Sequence, residues 1–120
     1  MAPTPPTDPP IACQLKALDA RQRERQKELL AAVRAKIQRT VELLDGFALQ
    51  MPNDQATFLE VAEWVSLERR CCAFAGFRLE LRLDDTVWVT MTGSPGTKEV
   101  LAAEMGIVVG NEPLESRLAT

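Results

Sequence analysis

The chain has 120 residues, of which 46% are hydrophobic and 26% charged, a composition typical of one globular domain. Its net charge of −3 argues against binding to a nucleic-acid backbone, for which proteins usually present a basic patch. No apolar run reaches the roughly 18 residues of a membrane-spanning helix, and the first residues lack the pattern of a signal peptide. We therefore expect a cytoplasmic protein without membrane or nucleic-acid partners.

Two residue types are missing from the sequence, which contains no histidine and no tyrosine. This excludes nucleophiles that a histidine activates and zinc sites that need imidazole. The three cysteines, Cys13, Cys71 and Cys72, cannot all pair within one chain. In a cytoplasmic protein such thiols serve in metal binding, in redox chemistry or in packing.

The first half of the chain predicts a helix and then a hairpin. Residues 1–10 contain five of the eight prolines and are expected to form a disordered lead. Asp19 begins a helix that runs to about residue 35, and its basic residues are interleaved with glutamates, as on a solvated face. An alternating strand follows, with Val41 on its inner side. Asp45-Gly46 predicts a type I′ hairpin turn, which needs positive φ at both positions.

The second half predicts the same order again. Asn53 or Asp54 begins a helix that runs to about Cys72. Residues 77–83 alternate between apolar and charged types and form a second hairpin with residues 87–91. The loop after this hairpin, with Ser94 as N-cap and Pro95 as first helical residue, leads to a third helix that stops at Gly106.

This order, α-ββ-α-ββ-α, predicts an α+β fold in which helices cover one face of a four-stranded, mainly antiparallel sheet. We expect a single domain at 11–106 and a C-terminal tail at 107–120. Trp64 and Trp88 are expected to pack in the core or on a sheet face rather than to form a ligand pocket. The glycine-rich loop around Ser94 lacks the spacing of a phosphate-binding loop, and an ordinary strand-to-helix turn is favoured.

The adjacent thiols are the most unusual feature of the sequence. Side chains at neighbouring helical positions diverge by about 100°, so Cys72 is predicted to face the core and Cys71 to lie nearer solvent. If Cys13 folds back onto them, the three sulfurs offer a site for Hg, As(III), Cu(I) or Zn. Zinc needs a fourth ligand from water, from a carboxylate such as Glu68, or from a second chain.

The cysteine segment ERRCCAFAGF (68–77) and the turn TGSPGTKE (92–99) resemble those of a group of small uncharacterised bacterial proteins. That group has the patterns Glu-x-x-Cys-Cys-Pro-Phe-x-x-Phe and Thr-Gly-Pro-x-Gly-x-Lys-Glu, and a cysteine before its first helix, as Cys13 is here. Similar segments occur in or beside MerR-like, metal-responsive regulators. The resemblance covers about residues 11–101 and implies a thiol-centred role, such as heavy-metal binding of the mercury-resistance kind. Ala73 stands where the group has proline, which allows the helix to continue further here.

Three functional hypotheses follow from these residues. The first is a small protein that binds a soft metal or metalloid ion through Cys13, Cys71 and Cys72 and has no catalytic activity. The second is a structural or protein-interaction domain with packed cysteines, which forms a homodimer through its sheet edges. The third is an enzyme that uses a thiol for redox or transfer chemistry, which requires a thiol pKa lowered towards neutrality.

Overall fold

The computed structural model of the protein describes residues 11–107 and has the predicted α+β order, α-ββ-α-ββ-α. The predicted lead at 1–10 and the tail after Ile107 lie outside the described residues. A short 3-10 turn, Leu15–Ala17, precedes the first helix. The elements are then α1 (Ala20–Lys36), β1 (Arg39–Leu43), β2 (Gly46–Met51), α2 (Gln55–Cys71), β3 (Ala75–Leu81), β4 (Val87–Gly93) and α3 (Thr97–Met105).

The four strands form one antiparallel sheet in the order β1-β2-β4-β3, so β1 and β3 are its edges. Alternate residues of the two central strands point into a single core, which they share with the three helices. The buried core residues of β2 and β4 are Phe47, Leu49, Met51, Val87, Val89 and Met91. The helices therefore cover one face of the sheet, as the sequence predicts.

Polar side chains cap the N-termini of the first two helices, as predicted, but a glycine occupies the N-cap position of the third. Asp19 and Gln22 form a reciprocal capping box at α1, and the Asp54 carboxylate accepts a hydrogen bond from the backbone N–H of Thr57 in α2. The prediction that Ser94 and Pro95 begin α3 is wrong, because its N-cap is Gly96 with a φ of 99°. Positive φ favours glycine, which has no Cβ.

The first hairpin is correctly predicted, but its turn is not. Leu43 pairs with Gly46, so the two turn residues are Leu44 and Asp45. Neither has positive φ, which within residues 11–107 occurs at Asp85, Gly96 and Gly106. The turn is therefore not of type I′. Gly46 is needed for a different reason: a Cβ there would overlap the carbonyl oxygen of Met91 on β4.

The predicted orientation of β1 is also wrong, because Val41 lies on the face opposite the helices. Val41 pairs with Ala48 and is buried beside Trp88, whose ring is flanked by the guanidinium groups of Arg39 and Arg82. These residues form a small second cluster on the open face of the sheet. Trp88 thus packs on a sheet face and Trp64 in the main core, as predicted.

On β1, the side chain of Glu42 points towards the helices instead, and Glu42 pairs with Phe47 of β2. Lys98 of α3 makes this possible, since its ammonium group lies 3.1 Å from the Glu42 carboxylate and also donates to the carbonyl of Leu43. A buried carboxylate is tolerated when a cation pairs with it. Apolar periodicity alone could not identify this arrangement.

Candidate metal centre

The segment before α1 crosses the C-terminal end of α2 and brings Cys13 to the other two cysteines. The backbone N–H of Gln14 donates to the carbonyl oxygen of Cys71 at 2.8 Å. The guanidinium of Arg70 donates to the carbonyl of Ala17 at 2.8 Å, which is a second contact between the same two segments. These contacts hold the first cysteine against a helix that begins more than forty residues later in the chain.

The three thiols form one cluster. The Sγ atoms of Cys13, Cys71 and Cys72 all lie within 4.8 Å of one another, and those of Cys13 and Cys72 are 3.7 Å apart. All three cysteines are free thiols, with Cys13 at the surface and the other two buried. Cys13 therefore does approach the adjacent pair, which the sequence left open.

The prediction that Cys71 lies near solvent is wrong, because its side chain is only 3% exposed. The helical divergence of about 100° does not apply to the pair, since α2 ends at Cys71 and Cys72 leaves the helix with φ −106° and ψ 64°. The segment around Gln14 also covers this helix end. Ala73 consequently does not extend the helix, which stops where a proline at that position would have stopped it.

Two carboxylates lie on the other side of Cys72. Its Sγ is 3.2 Å from an oxygen of Glu68 on α2 and 3.4 Å from an oxygen of Glu104 on α3. Ligand atoms of these three residues also lie within 4.8 Å of one another. Cys72 therefore belongs to two overlapping groups, one of three thiols and one of a thiol with two carboxylates.

Glu68 was named from the sequence as a potential ligand, but Glu104 was missed. Glu68 could be found because it precedes the adjacent cysteines by three residues in the sequence, and the structure places it among the buried residues of α2. Glu104 sits between the buried Leu101 and Met105, and nothing in its local sequence indicates a long-range contact. The position of Glu104 depends on how α3 packs, which only the tertiary structure gives.

The two carboxylates have neutral neighbours rather than cations. Glu68 is 1% exposed and accepts a hydrogen bond of 2.8 Å from the side-chain amide of Gln26 on α1. Among the residues that the structure describes, no lysine or arginine forms an ion pair with Glu68 or Glu104. The site thus concentrates potential negative charge at a place where the protein supplies no positive charge.

Three groups of the site, Cys13, Cys72 and Glu104, have raised pKa values. Burial raises the pKa of the Cys13 thiol to about 11. Burial also raises the pKa of Cys72 far above its usual range, and the charges of Glu68 and Glu104 raise it further. Burial, followed by the hydrogen bond to Glu68, raises the pKa of Glu104 to about 8. None of these groups is a low-pKa nucleophile.

The spacing of the sulfurs fits an ion placed between them. With metal–sulfur distances of about 2.3 Å, tetrahedral coordination places two sulfurs about 3.8 Å apart and trigonal coordination about 4.0 Å apart. The Cys13–Cys72 separation of 3.7 Å is close to both values. The Sγ of Cys71 lies within 4.8 Å of both.

Two other candidate regions have ordinary structural roles. Lys98, the cation of the glycine-rich loop, is paired with Glu42. Arg25 of the basic first helix donates to both carboxylate oxygens of Glu63 on α2 and also pairs with Glu28. In the described residues, these two cations therefore contribute to the packing of the fold.

No helix within residues 11–107 combines the length and apolarity needed to cross a membrane. No protein-family model, curated protein or solved structure matches this chain. The functional argument therefore depends on the geometry of the site.

Proposed function

We propose that the protein binds a soft metal or metalloid ion, of the class of Hg, As(III), Cu(I) or Zn, through Cys13, Cys71 and Cys72. The observation that carries the proposal is the convergence of three free thiols within 4.8 Å, from two segments far apart in sequence. Thiolates are the protein ligands that such ions prefer. The expected setting is the cytoplasm, where thiols stay reduced.

Simple packing is a weaker explanation of the cluster. A buried cysteine by itself needs no function, since free cysteine is among the most buried residue types. Packing does not explain why Cys72 faces the buried carboxylate of Glu68 and the carboxyl group of Glu104. Burying carboxylates without a cation costs free energy that an apolar neighbour would avoid. The resemblance to segments found beside metal-responsive regulators favours the same function.

A thiol enzyme is disfavoured by the electrostatics of the site. Thiol catalysis depends on the thiolate, which requires a lowered pKa. Here the pKa values of Cys13 and Cys72 are both raised. Arg69 and Arg70, the nearest cations in sequence, are exposed, and Arg70 bonds to a backbone carbonyl instead.

The test is native mass spectrometry of the reduced protein, purified without oxygen and offered Zn(II), Cu(I), Hg(II) and As(III) in parallel. We expect an adduct of one ion per chain in the wild type and none in the Cys71→Ser, Cys72→Ser double variant. Cys13→Ser should weaken binding by about tenfold or more, since changes around metal sites cost 10- to 100-fold in affinity even at supporting residues.

Two outcomes would contradict this function in different ways. If no ion forms an adduct with the wild type, the thiols only pack. If Cys13→Ser leaves stoichiometry and affinity unchanged, Cys13 is not a ligand and the site is smaller. Circular dichroism of each variant separates the loss of a ligand from the loss of the fold.

The second candidate function, dimerisation, is favoured by one specific feature of the sheet. Edge strand β3 carries Arg78 and Glu80 on one face and Phe77, Leu79 and Leu81 on the other, where Leu81 is 63% exposed. In an antiparallel pair of two β3 strands centred on Leu79, Arg78 of each copy would face Glu80 of the other. Phe77 would face Leu81 in the same way. Such a strand is self-complementary in charge and in apolar surface.

Charge reversal tests this dimer. Arg78→Glu should weaken dimerisation, because it places like charges opposite each other. The double variant Arg78→Glu, Glu80→Arg should restore it, because the pairs are again opposite in sign. Sedimentation equilibrium measures both effects. A monomeric wild type, or a double variant no better than the single one, would rule out this pairing of β3.

A further inference from the structure

The thiol cluster is bordered by carboxylates on one side only, the side formed by α2 and α3. Glu68 on α2 is held in place, because it is buried and bonded to Gln26. Glu104 on α3 is only partly buried. Of the two, Glu104 is therefore freer to change its rotamer when an ion arrives.

Glu104 meets the thiol cluster at Cys72. One of its oxygens is 3.4 Å from the Sγ of Cys72. The charge of Glu104 raises the pKa of Cys13 as well as that of Cys72. Cys72 is therefore the thiol through which Glu104 joins the cluster.

The distances match a coordination shell that mixes sulfur and oxygen. For a tetrahedral ion with bonds of about 2.3 Å to sulfur and about 2.0 Å to oxygen, a sulfur and an oxygen ligand are about 3.5 Å apart. The observed distance from Cys72 to Glu104 is 3.4 Å, and from Cys72 to Cys13 it is 3.7 Å. Each distance is close to one edge of such a tetrahedron, and the two edges meet at Cys72. The Glu104 oxygen and the Cys13 sulfur do not share a group of ligand atoms within 4.8 Å, so the Glu104 side chain must turn towards Cys13 to complete the shell.

We propose that Glu104 is the fourth ligand of the thiol site when the site holds Zn(II), and that its carboxylate contributes to the affinity for zinc but not to the affinity for As(III). This inference rests on the proposed function, since it requires that the thiols bind an ion. Zn(II) accepts carboxylate oxygen beside thiolates in a tetrahedral shell. Soft ions gain little from a carboxylate oxygen, since their affinity resides in the thiolates.

Charge supports the binding of zinc at this site. The site contains three thiols and two carboxyl groups, and no cation of the described chain pairs with either carboxyl group. A divalent ion compensates more of this charge than Cu(I) does. Glu68, bonded both to Cys72 and to Gln26, then acts as a positioning residue at the edge of the shell.

The test compares Zn(II) and As(III) affinities of the reduced full-length chain in wild type, Glu104→Gln and Glu99→Gln. Gln keeps the size of the side chain but removes the anionic oxygen. Glu99 is an exposed residue of the same helix and provides a matched control. We expect Glu104→Gln to lower zinc affinity about tenfold or more and to leave As(III) affinity within about twofold, while Glu99→Gln changes neither.

The As(III) measurement also shows that the variant is folded and that its thiols are available. A zinc affinity that is unchanged in Glu104→Gln would overturn the role of Glu104 while leaving the thiol site intact. An equal loss of affinity for both ions would overturn the zinc-specific role of Glu104. A wild type that binds no ion would overturn this inference together with the proposed function.

Discussion

The two most buried glutamates within residues 11–107 are stabilised in opposite ways. Glu42 on β1 meets the ammonium group of Lys98 at 3.1 Å, and only 9% of its side chain is exposed. Glu68 on α2 is 1% exposed and meets an amide, a thiol and a second carboxyl group. The fold therefore supplies a cation at one place and leaves the other without one.

This contrast suits a structural role for Glu42 and a role at a binding site for Glu68. The Glu42–Lys98 pair joins β1 to α3 and is complete within the chain. The Glu68 carboxyl group accepts hydrogen bonds from neutral donors and has no cation beside it among the described residues. It also lies next to the cluster of three thiols. A buried carboxylate beside thiols and without a counter-ion is a place where a bound cation contributes stability.

The largest expected effect is an increase in the free energy of unfolding when zinc binds beside Glu68. At a free zinc concentration of one hundred times Kd, binding to the folded state alone should raise the free energy of unfolding by about 2.7 kcal/mol. Urea unfolding of the reduced protein, with and without zinc, measures this increment. The Cys71→Ser, Cys72→Ser variant should lack it.

Urea unfolding with and without zinc also distinguishes the Glu42–Lys98 pair from the Glu68 cluster. Lys98→Met removes the cation of Glu42, which lies at a different place from the thiols, and should keep the full zinc increment. A zinc increment that persists in the double cysteine variant would place the ion elsewhere. An increment that disappears in Lys98→Met would show that the two regions are coupled.

The sequence predicts most of the fold because its local signals agree with the packing. β3 alternates apolar and charged residues, the Asp19 box and Asp54 cap their helices, and Gly106 ends α3. Each of these signals acts within a few residues, where propensity and hydrogen bonding determine the conformation.

The errors occur where a distant residue determines the result. Val41 is buried on the open face because Trp88 covers it, and Gly46 is needed because β4 passes close to it. The thiols could be proposed as a cluster from their chemistry. The burial of Cys71 depends on a backbone bond from Gln14, and the place of Glu104 on the packing of α3, which no local pattern contains.

A smaller effect tests the Glu42 side of the comparison in the metal-free protein. Lys98→Met keeps the aliphatic stem but leaves the Glu42 carboxylate and the Leu43 carbonyl without the ammonium group. Breaking a fully buried pair costs 3–5 kcal/mol, and because 18% of the Lys98 side chain is exposed we expect about 2 kcal/mol. Lys36→Met breaks the more exposed pair with Glu60 and should cost less than about 1 kcal/mol. Equal losses in the two variants, measured by urea unfolding, would mean that Glu42 reaches solvent and that its pair with Lys98 contributes no more than an exposed ion pair does.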